Sequence, residues 1–289
     1  MIVHEPTTAL AALGILAQDP ETLIVAGGTQ VMRSPGGPFR GRTLLSLRKV
    51  DTLSKVSRSQ RYLDIGATVS LSRILSIGPR VVPACLFAAL KATASPAVRL
   101  LATLGGNVCA PDGEHTCLVA LAAFDAQLEL RGAGTARMVP ASHFWAGGTD
   151  RAIRPGELLM RVRLPLEEGA IGTFAERTVA WQDRPTRTAL AAVASVHRDV
   201  LEEMRLCLST AAHGTLRFSD FESACPGVRL PLRERTLEEL LSVLKRSVVQ
   251  RLGVPMPEAE PLLAAVLDHA ESLLRRVSRG EIDRGTPSP

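Results

Sequence analysis

Val25-Ala26-Gly27-Gly28-Thr29-Gln30 and, further along, Ala102-Thr103-Leu104-Gly105-Gly106-Asn107 each set a glycine pair beside a threonine among apolar residues. An anion such as a diphosphate needs several N–H donors at once, and only residues without a Cβ let the backbone come close enough to supply them. Two such turns can clasp one diphosphate from both sides, with the hydroxyls of Thr29 and Thr103 joining in. Neither turn is a Gly-x-Gly-x-x-Gly opening a helix, and neither is a Gly-x4-Gly-Lys-Ser/Thr, so a Rossmann fingerprint and a P-loop are both disfavoured. Either turn taken alone reads as an ordinary tight turn. The pair, in its flanking sequence, carries the reading.

Outward from the first turn, Ala9, Leu10, Leu13, Leu16 and Ala17 repeat at helical spacing and stop before Asp19-Pro20, which predicts a short amphipathic helix. Leu23 to Val25 reads as a buried strand feeding the turn, and Ser34 to Pro38 as a loop. Leu44 to Leu47 and Tyr62 to Ile65 are strand candidates with a boundary near Ser54. Leu71 to Leu75 and Val81 to Thr93 are spaced as helices, the second broken by Ser95-Pro96. Thr116 to Phe124 reads as a buried helix, Gln127 to Arg131 as an edge strand ending at Gly132, and Leu158 to Leu164 as a strand closed by Pro165. Beyond Gly172 come alternating runs, Ala189 to His197 and Met204 to Ser209, and then helical segments at Thr236 to Val249 and Pro261 to Val277. Strands first and helices last predict an α+β unit with helices on a sheet face.

The chain has 289 residues, 46% of them hydrophobic, enough for two or three units with a well-buried core. No apolar run approaches the ~18 residues of a spanning helix, and the N-terminus does not read as a signal peptide, so a soluble, cytoplasmic protein is expected. Cys85, Cys109, Cys117, Cys207 and Cys225 are odd in number and lack a Cys-x2-Cys pair, so neither disulfides nor a metal site is expected. Cys109 and Cys117 flank the segment after the second glycine pair, which can bring a thiol near a cofactor. The net charge of +5 is spread out rather than clustered, and two tryptophans, one tyrosine and seven phenylalanines are few for stacking bases, so no nucleic acid is expected. His115 is a lone histidine and reads as a polar residue at the surface rather than as a catalyst. No Ser-His-Asp order, Gly-x-Ser-x-Gly or His-Glu-x-x-His supports hydrolysis.

Around the two glycine turns the chain closely resembles the flavin-binding medium subunit of the molybdenum hydroxylases, the family of xanthine dehydrogenase and carbon monoxide dehydrogenase. Leu23 to Met32 looks like its first FAD loop, and Ser95 to Asn107 like its second. Asp125-Ala126, Val139 to Phe144 and Gly156 to Pro165 recur in the family's order. The resemblance implies an α+β fold: two small mixed α/β units, residues 1–54 and 55–167, forming a PCMH-type FAD-binding domain. A C-terminal α+β domain follows at 172–279, with a tail at 280–289.

It also implies noncovalent FAD held by Val25, Ala26, Gly27, Gly28, Thr29, Gln30 and Val31 from one side. Thr103, Gly105, Gly106, Asn107 and Thr116 would hold it from the other. Asn107 would bond the ribityl chain or simply cap its turn. Leu158 and Leu159 would wall the adenine, or serve only as core strand. Thr116 stands where the family often has an acid, with Asp112 and Glu114 nearby. Phe174 to Arg177 stands where the family often has an aromatic, one residue, then lysine near the isoalloxazine ring. Arg177 would there stabilise reduced flavin, or be a surface charge.

The function implied is an oxidoreductase subunit that takes electrons from 2Fe-2S clusters on a small subunit, fed by a molybdopterin-binding large subunit. It passes them to an external acceptor such as NAD, quinone or oxygen. The alternative is a family member that keeps the fold as a structural or assembly subunit with weak FAD binding or none.

Overall fold

The computed structural model describes residues 2–33, 42–110, 116–145, 152–167, 169–181, 184–253 and 256–281. The expected loop at Ser34 to Pro38, the residues Asp112, Glu114 and His115, and most of the expected tail lie outside the described residues. Mixed helix and sheet, in the order expected, is what the chain forms.

The N-terminal unit holds β1 (Val3–His4), α1 (Ala9–Gln18), β2 (Leu23–Val25) and β3 (Leu44–Ser46), with the parallel strands ordered β1-β3-β2. The Thr8 hydroxyl caps α1 by accepting from the Ala11 amide at 3.2 Å. Ala12, Leu13 and Leu16 bury one face of α1 against Leu45, Leu47 and Leu53. The same core takes in Leu158 and Met160, from a strand that belongs to the next sheet.

That next unit runs through β4 (Val56–Arg58), β5 (Tyr62–Gly66), α2 (Leu71–Ile77), α3 (Ala84–Ala92), α4 (Pro96–Leu101), α5 (Leu104–Val108), α6 (Thr116–Ala123), β6 (Gln127–Gly132), β7 (Thr135–Pro140), α7 (Ala141–Phe144) and β8 (Leu158–Pro165). Its strands are ordered β4-β5-β8-β6-β7. The expectation that Gln127 to Arg131 forms an edge is therefore overturned: β6 lies between β8 and β7. Thr135-Ala-Arg-Met-Val lacks the strict alternation that would have announced β7 as its partner. Every residue of α6 is buried, as expected of a helix that is apolar all round.

The C-terminal unit consists of β9 (Ile171–Trp181), β10 (Arg184–His197), β11 (Val200–Thr210), β12 (Gly214–Arg217), α8 (Ser219–Ala224), β13 (Val228–Arg229), α9 (Glu234–Leu252) and α10 (Met256–Ser278). The antiparallel order is β12-β11-β10-β9, with β13 on β11. Period-two alternation divides β10 between two cores. Ala189, Ala191 and Val193 face the middle unit, where α3 and α6 pack, whereas Leu190, Ala192 and Ala194 face α9 and α10. The sheet is thus covered on both faces.

His269 on α10 is buried against β9, its Nε2 3.2 Å from the Thr173 hydroxyl, and burial pushes its pKa down to about 4 from an ordinary 6.5. The folded state keeps the ring neutral where the unfolded chain would protonate it. Stability is therefore full above pH 6.5 and falls as the pH drops towards 4, by at most ~1.4 kcal/mol per pH unit from this group. Thermal melts of wild type and His269→Gln over that range check this: the variant should show a flatter acid limb.

Candidate functional site

A cavity of about 1090 Å³ opens between the first two units. Its lining includes Leu16, Thr22, Leu23 and the 154–159 segment, together with Ala92 to Ala94, Asn107, Thr116 and Arg187. Both glycine stretches line it. Of the residues picked from sequence, the cavity gathers Ala26, Gly27, Gly28, Thr29, Gln30, Val31, Thr103, Gly105, Gly106, Asn107, Thr116, Leu158 and Leu159. Val25 stands just behind, on β2, and Arg177 is elsewhere.

The two glycine stretches differ physically. In the first, Gly28 has φ +72°, a left-handed conformation that a β-carbon resists. Among the described residues the amides of Gly27, Gly28 and Thr29 have no partner in the chain, while the Gly28 carbonyl accepts from Met32 at 3.0 Å. Three consecutive unpaired N–H groups on a cavity wall, with a left-handed residue among them, form a backbone nest suited to an anion.

The second stretch is not such a turn, which corrects the symmetrical clasp expected from sequence. Thr103 is the N-cap of α5, its hydroxyl accepting from the Gly106 amide at 3.1 Å. The Leu104 amide donates to Val69, Gly105 to Ala67 and Asn107 to Thr103, at 2.9–3.0 Å. Those donors are already used. Ser95-Pro96, read as a break, is also the start of α4, with Ser95 as N-cap and Pro96 in the first turn.

The glycines of α5 and of the first turn serve close packing as well. A Cβ on Gly105 would meet the Ala67 carbonyl oxygen at 2.7 Å, and one on Gly27 would fall on the Leu101 carbonyl. The two stretches therefore touch backbone to backbone. Asn107 lines the cavity, and its Oδ1 accepts from the Cys117 amide at 3.2 Å, which ties α5 to the first turn of α6 and is not a cap of Asn107's own turn. Thr116, in that turn, is buried on the cavity wall.

Leu158 and Leu159 both line the cavity although they feed different cores, Leu158 that of α1 and Leu159 that of the middle sheet. A register shift opposite Glu129/Leu130 lies beside them. The preceding loop is fixed by Glu157, buried, whose carboxylate accepts from Arg137 at 2.6 and 2.8 Å and from the Arg154 amide at 2.8 Å. The Arg137 bond first, and burial opposing it, leave its pKa below the ordinary carboxylate value.

Arg177 is corrected by the register of the third sheet. It pairs with Thr188 on the face towards α10, where its positive charge helps to lower the His269 pKa. Arg187, one residue out of phase, projects on the other face and lines the cavity, where it pairs with Glu176. Sequence reading also missed Thr22, whose hydroxyl is buried in the cavity wall with no partner among the described residues. No local signal marked Thr22. Of the cysteines, Cys109 lines the cavity, whereas Cys117 is fully buried with its pKa pushed up to about 12 by burial. Among the described residues no group of side chains could hold a metal ion, and no helix is long and apolar enough to cross a membrane.

Residues 1–167, which form both walls of the cavity, match the family described as the FAD binding domain in molybdopterin dehydrogenase. The chain belongs to this family. It is 26% identical over 254 residues, 86% of both chains, to the xanthine dehydrogenase FAD-binding subunit of Escherichia coli O157:H7. It is 36% identical over 84 residues, 29% of both chains, to the carbon monoxide dehydrogenase medium chain of Afipia carboxidovorans. In fold it is similar to the carbon monoxide dehydrogenase structure from Hydrogenophaga pseudoflava, with a TM-score of 0.76 at 20% identity, over 96% of this chain and 95% of that one. Quinoline 2-oxidoreductase from Pseudomonas putida 86 gives 0.73 at 22% identity, over 97% and 96%. These likenesses extend the family's fold through the C-terminal unit, beyond the residues of the family match.

Proposed function

We propose that this chain is the FAD-carrying electron-transfer subunit of a molybdenum-containing hydroxylase or dehydrogenase. The observation that carries the reading is the row of amides at Gly27, Gly28 and Thr29, unpartnered among the described residues, on the wall of a cavity of about 1090 Å³. A diphosphate satisfies such a row, the unpartnered Thr22 hydroxyl marks a further polar point in the same wall, and no metal is needed to neutralise the charge. Leu158 and Leu159 wall the adenine end, where burying a flat ring at ~25 cal/mol per Å² aids retention. The isoalloxazine ring then occupies the end bordered by Asn107, Thr116 and Arg187. FAD, when bound, supplies the redox chemistry, and the protein supplies position and electrostatics.

Electrons would arrive from 2Fe-2S clusters on a small subunit, fed by a molybdopterin-binding large subunit, and leave to an external acceptor such as NAD, quinone or oxygen. Oxidation of the organic substrate belongs to the large subunit. A second reading, a subunit that keeps the fold with little or no flavin, draws on the internally satisfied amides of α5 and on Thr116 at the place of the family's acid.

The visible spectrum of the chain, purified alone and with its co-expressed neighbours, and the mass of the released flavin separate the two. Stoichiometric FAD is expected; colourless protein in both preparations would establish the second reading. Gly28→Val probes the nest itself. A β-carbon there meets nothing nearer than Val25 Cγ1 at 3.9 Å, so its cost lies in the positive φ, about 1–2 kcal/mol. FAD affinity should fall at least tenfold with the fold retained, measured by titrating FAD into flavin-free protein. Unchanged affinity would move the diphosphate away from this turn.

A further inference from the structure

Arg187 reaches the cavity from β10, in the C-terminal sheet, and so from outside the two units that form its walls. It lies one strand away from the segment where sequence resemblance placed a cation, and the alternation of β9 explains the exchange. Phe174 and Glu176 share the face of β9 that packs towards the middle unit, whereas Arg177 shares the opposite face with Thr173 and Val179. In the antiparallel register Arg187 stands opposite Thr178, and Ala189 opposite Glu176. Glu176 therefore meets Arg187 diagonally on the cavity face, and the two side chains form an ion pair. Arg187 shares the cavity lining with Ala92, Thr93 and Thr116, and the Glu176 carboxylate holds its guanidinium.

We infer that Arg187 is the cation that sets the reduction potential of the flavin ring and that Glu176 is its positioning residue, restraining both its direction and its effective charge. This rests on the FAD reading above. Reduction places negative charge on the isoalloxazine ring, and a guanidinium at that end of the cavity favours it. The Arg187 side chain is 52% exposed and that of Glu176 26% exposed, so the charges are screened by water until a ligand covers them. The pair is built on two adjacent strands of a covered sheet, a rigid support for a charge whose distance matters.

The two members of the pair should act with opposite sign, which a purely structural role would not produce. In FAD-loaded protein Arg187→Gln should lower the potential of the bound flavin, by about tenfold in the reduction equilibrium, or ~30 mV for a two-electron couple. Glu176→Gln should raise it, by relieving the guanidinium of its counter-charge. Arg187→Lys should restore most of the wild-type value, and Arg177→Gln, on the other face, should leave it unchanged. The measurement is dye-equilibrated reduction of each purified protein at two salt concentrations, with FAD content measured on the same samples. The shifts should shrink at high salt.

An unchanged potential in Arg187→Gln with full FAD, or shifts of the same sign in Arg187→Gln and Glu176→Gln, would overturn the inference and leave the FAD reading standing. A wild-type chain without flavin would overturn both. Should Arg187→Gln fail to hold flavin, the rise in Glu176→Gln and the rescue by lysine decide the matter.

Discussion

Gly27→Ala should unfold at a temperature roughly 10 °C lower than the wild type and purify with little or no FAD. The added Cβ falls on the carbonyl oxygen of Leu101 and 2.7 Å from its carbon, and both belong to backbone that cannot swing aside. Overpacking usually costs about 1–3 kcal/mol, and a backbone obstacle puts this site at or above the upper end. In a domain of this size that is several degrees for each kcal/mol. The damage also falls on the contact between the two glycine stretches, so the cavity wall and the nest are displaced together.

Gly14→Ala in α1 is the matched control, with nothing within 4 Å of the new methyl. It should stabilise by about 0.5–1 kcal/mol, because glycine in a helix interior is costly. Thermal melts and flavin content measure both variants. A Gly27→Ala protein with wild-type melting and full FAD would mean that the two stretches do not touch in solution.

The second large effect is expected at Arg205 on β11. It faces the middle unit from within the C-terminal sheet, its side chain only 7% exposed. Its guanidinium donates to Asp125 at 3.1 Å and to Glu167 at 2.5 Å, and Asp125 is also paired with Arg217, which in turn holds Glu222 at 2.6 Å. This network ties β11 and β12 to the end of α6 and the end of β8. Asp125 itself sits at φ +51°, a conformation that its place after α6 requires. Removing one partner of a buried pair typically costs about 3–5 kcal/mol. Arg205→Ala should fall near 3, because Asp125 keeps water and Arg217. Urea unfolding followed by both near-UV absorption and far-UV circular dichroism should show the C-terminal sheet losing cooperativity with the rest. A loss below about 1 kcal/mol would show that water already screens the pair.

Much of the fold was legible because its signals are local. The apolar spacing of α1, the uniform apolarity of α6 and the long alternation of β10 and β11 each follow from one element burying its own face. The first glycine stretch was legible for the same reason, since a left-handed residue and a close approach both call for glycine. The second was misread. Gly105-Gly106 looks like a turn, yet the Thr103 cap and the carbonyls of Ala67 and Val69 draw it into a helix. Those carbonyls come from a distant loop that no local pattern announces. The edge position assigned to β6 failed likewise, because which strands flank a strand is a matter of pairing, not of its own alternation.

By itself the sequence determined the most strongly patterned helices and strands in their order, their apolar faces, and a glycine turn built for close approach, since these depend on residue size, polarity and period within one segment. Only the tertiary structure decided which amides remained unpaired, that Thr22 joined the cavity wall, and that Arg187 reached it while Arg177 turned away. Adjacent residues of a strand point to opposite faces, so alternation tells which residues share a face. Which face meets the cavity is fixed by packing between units far apart in the chain.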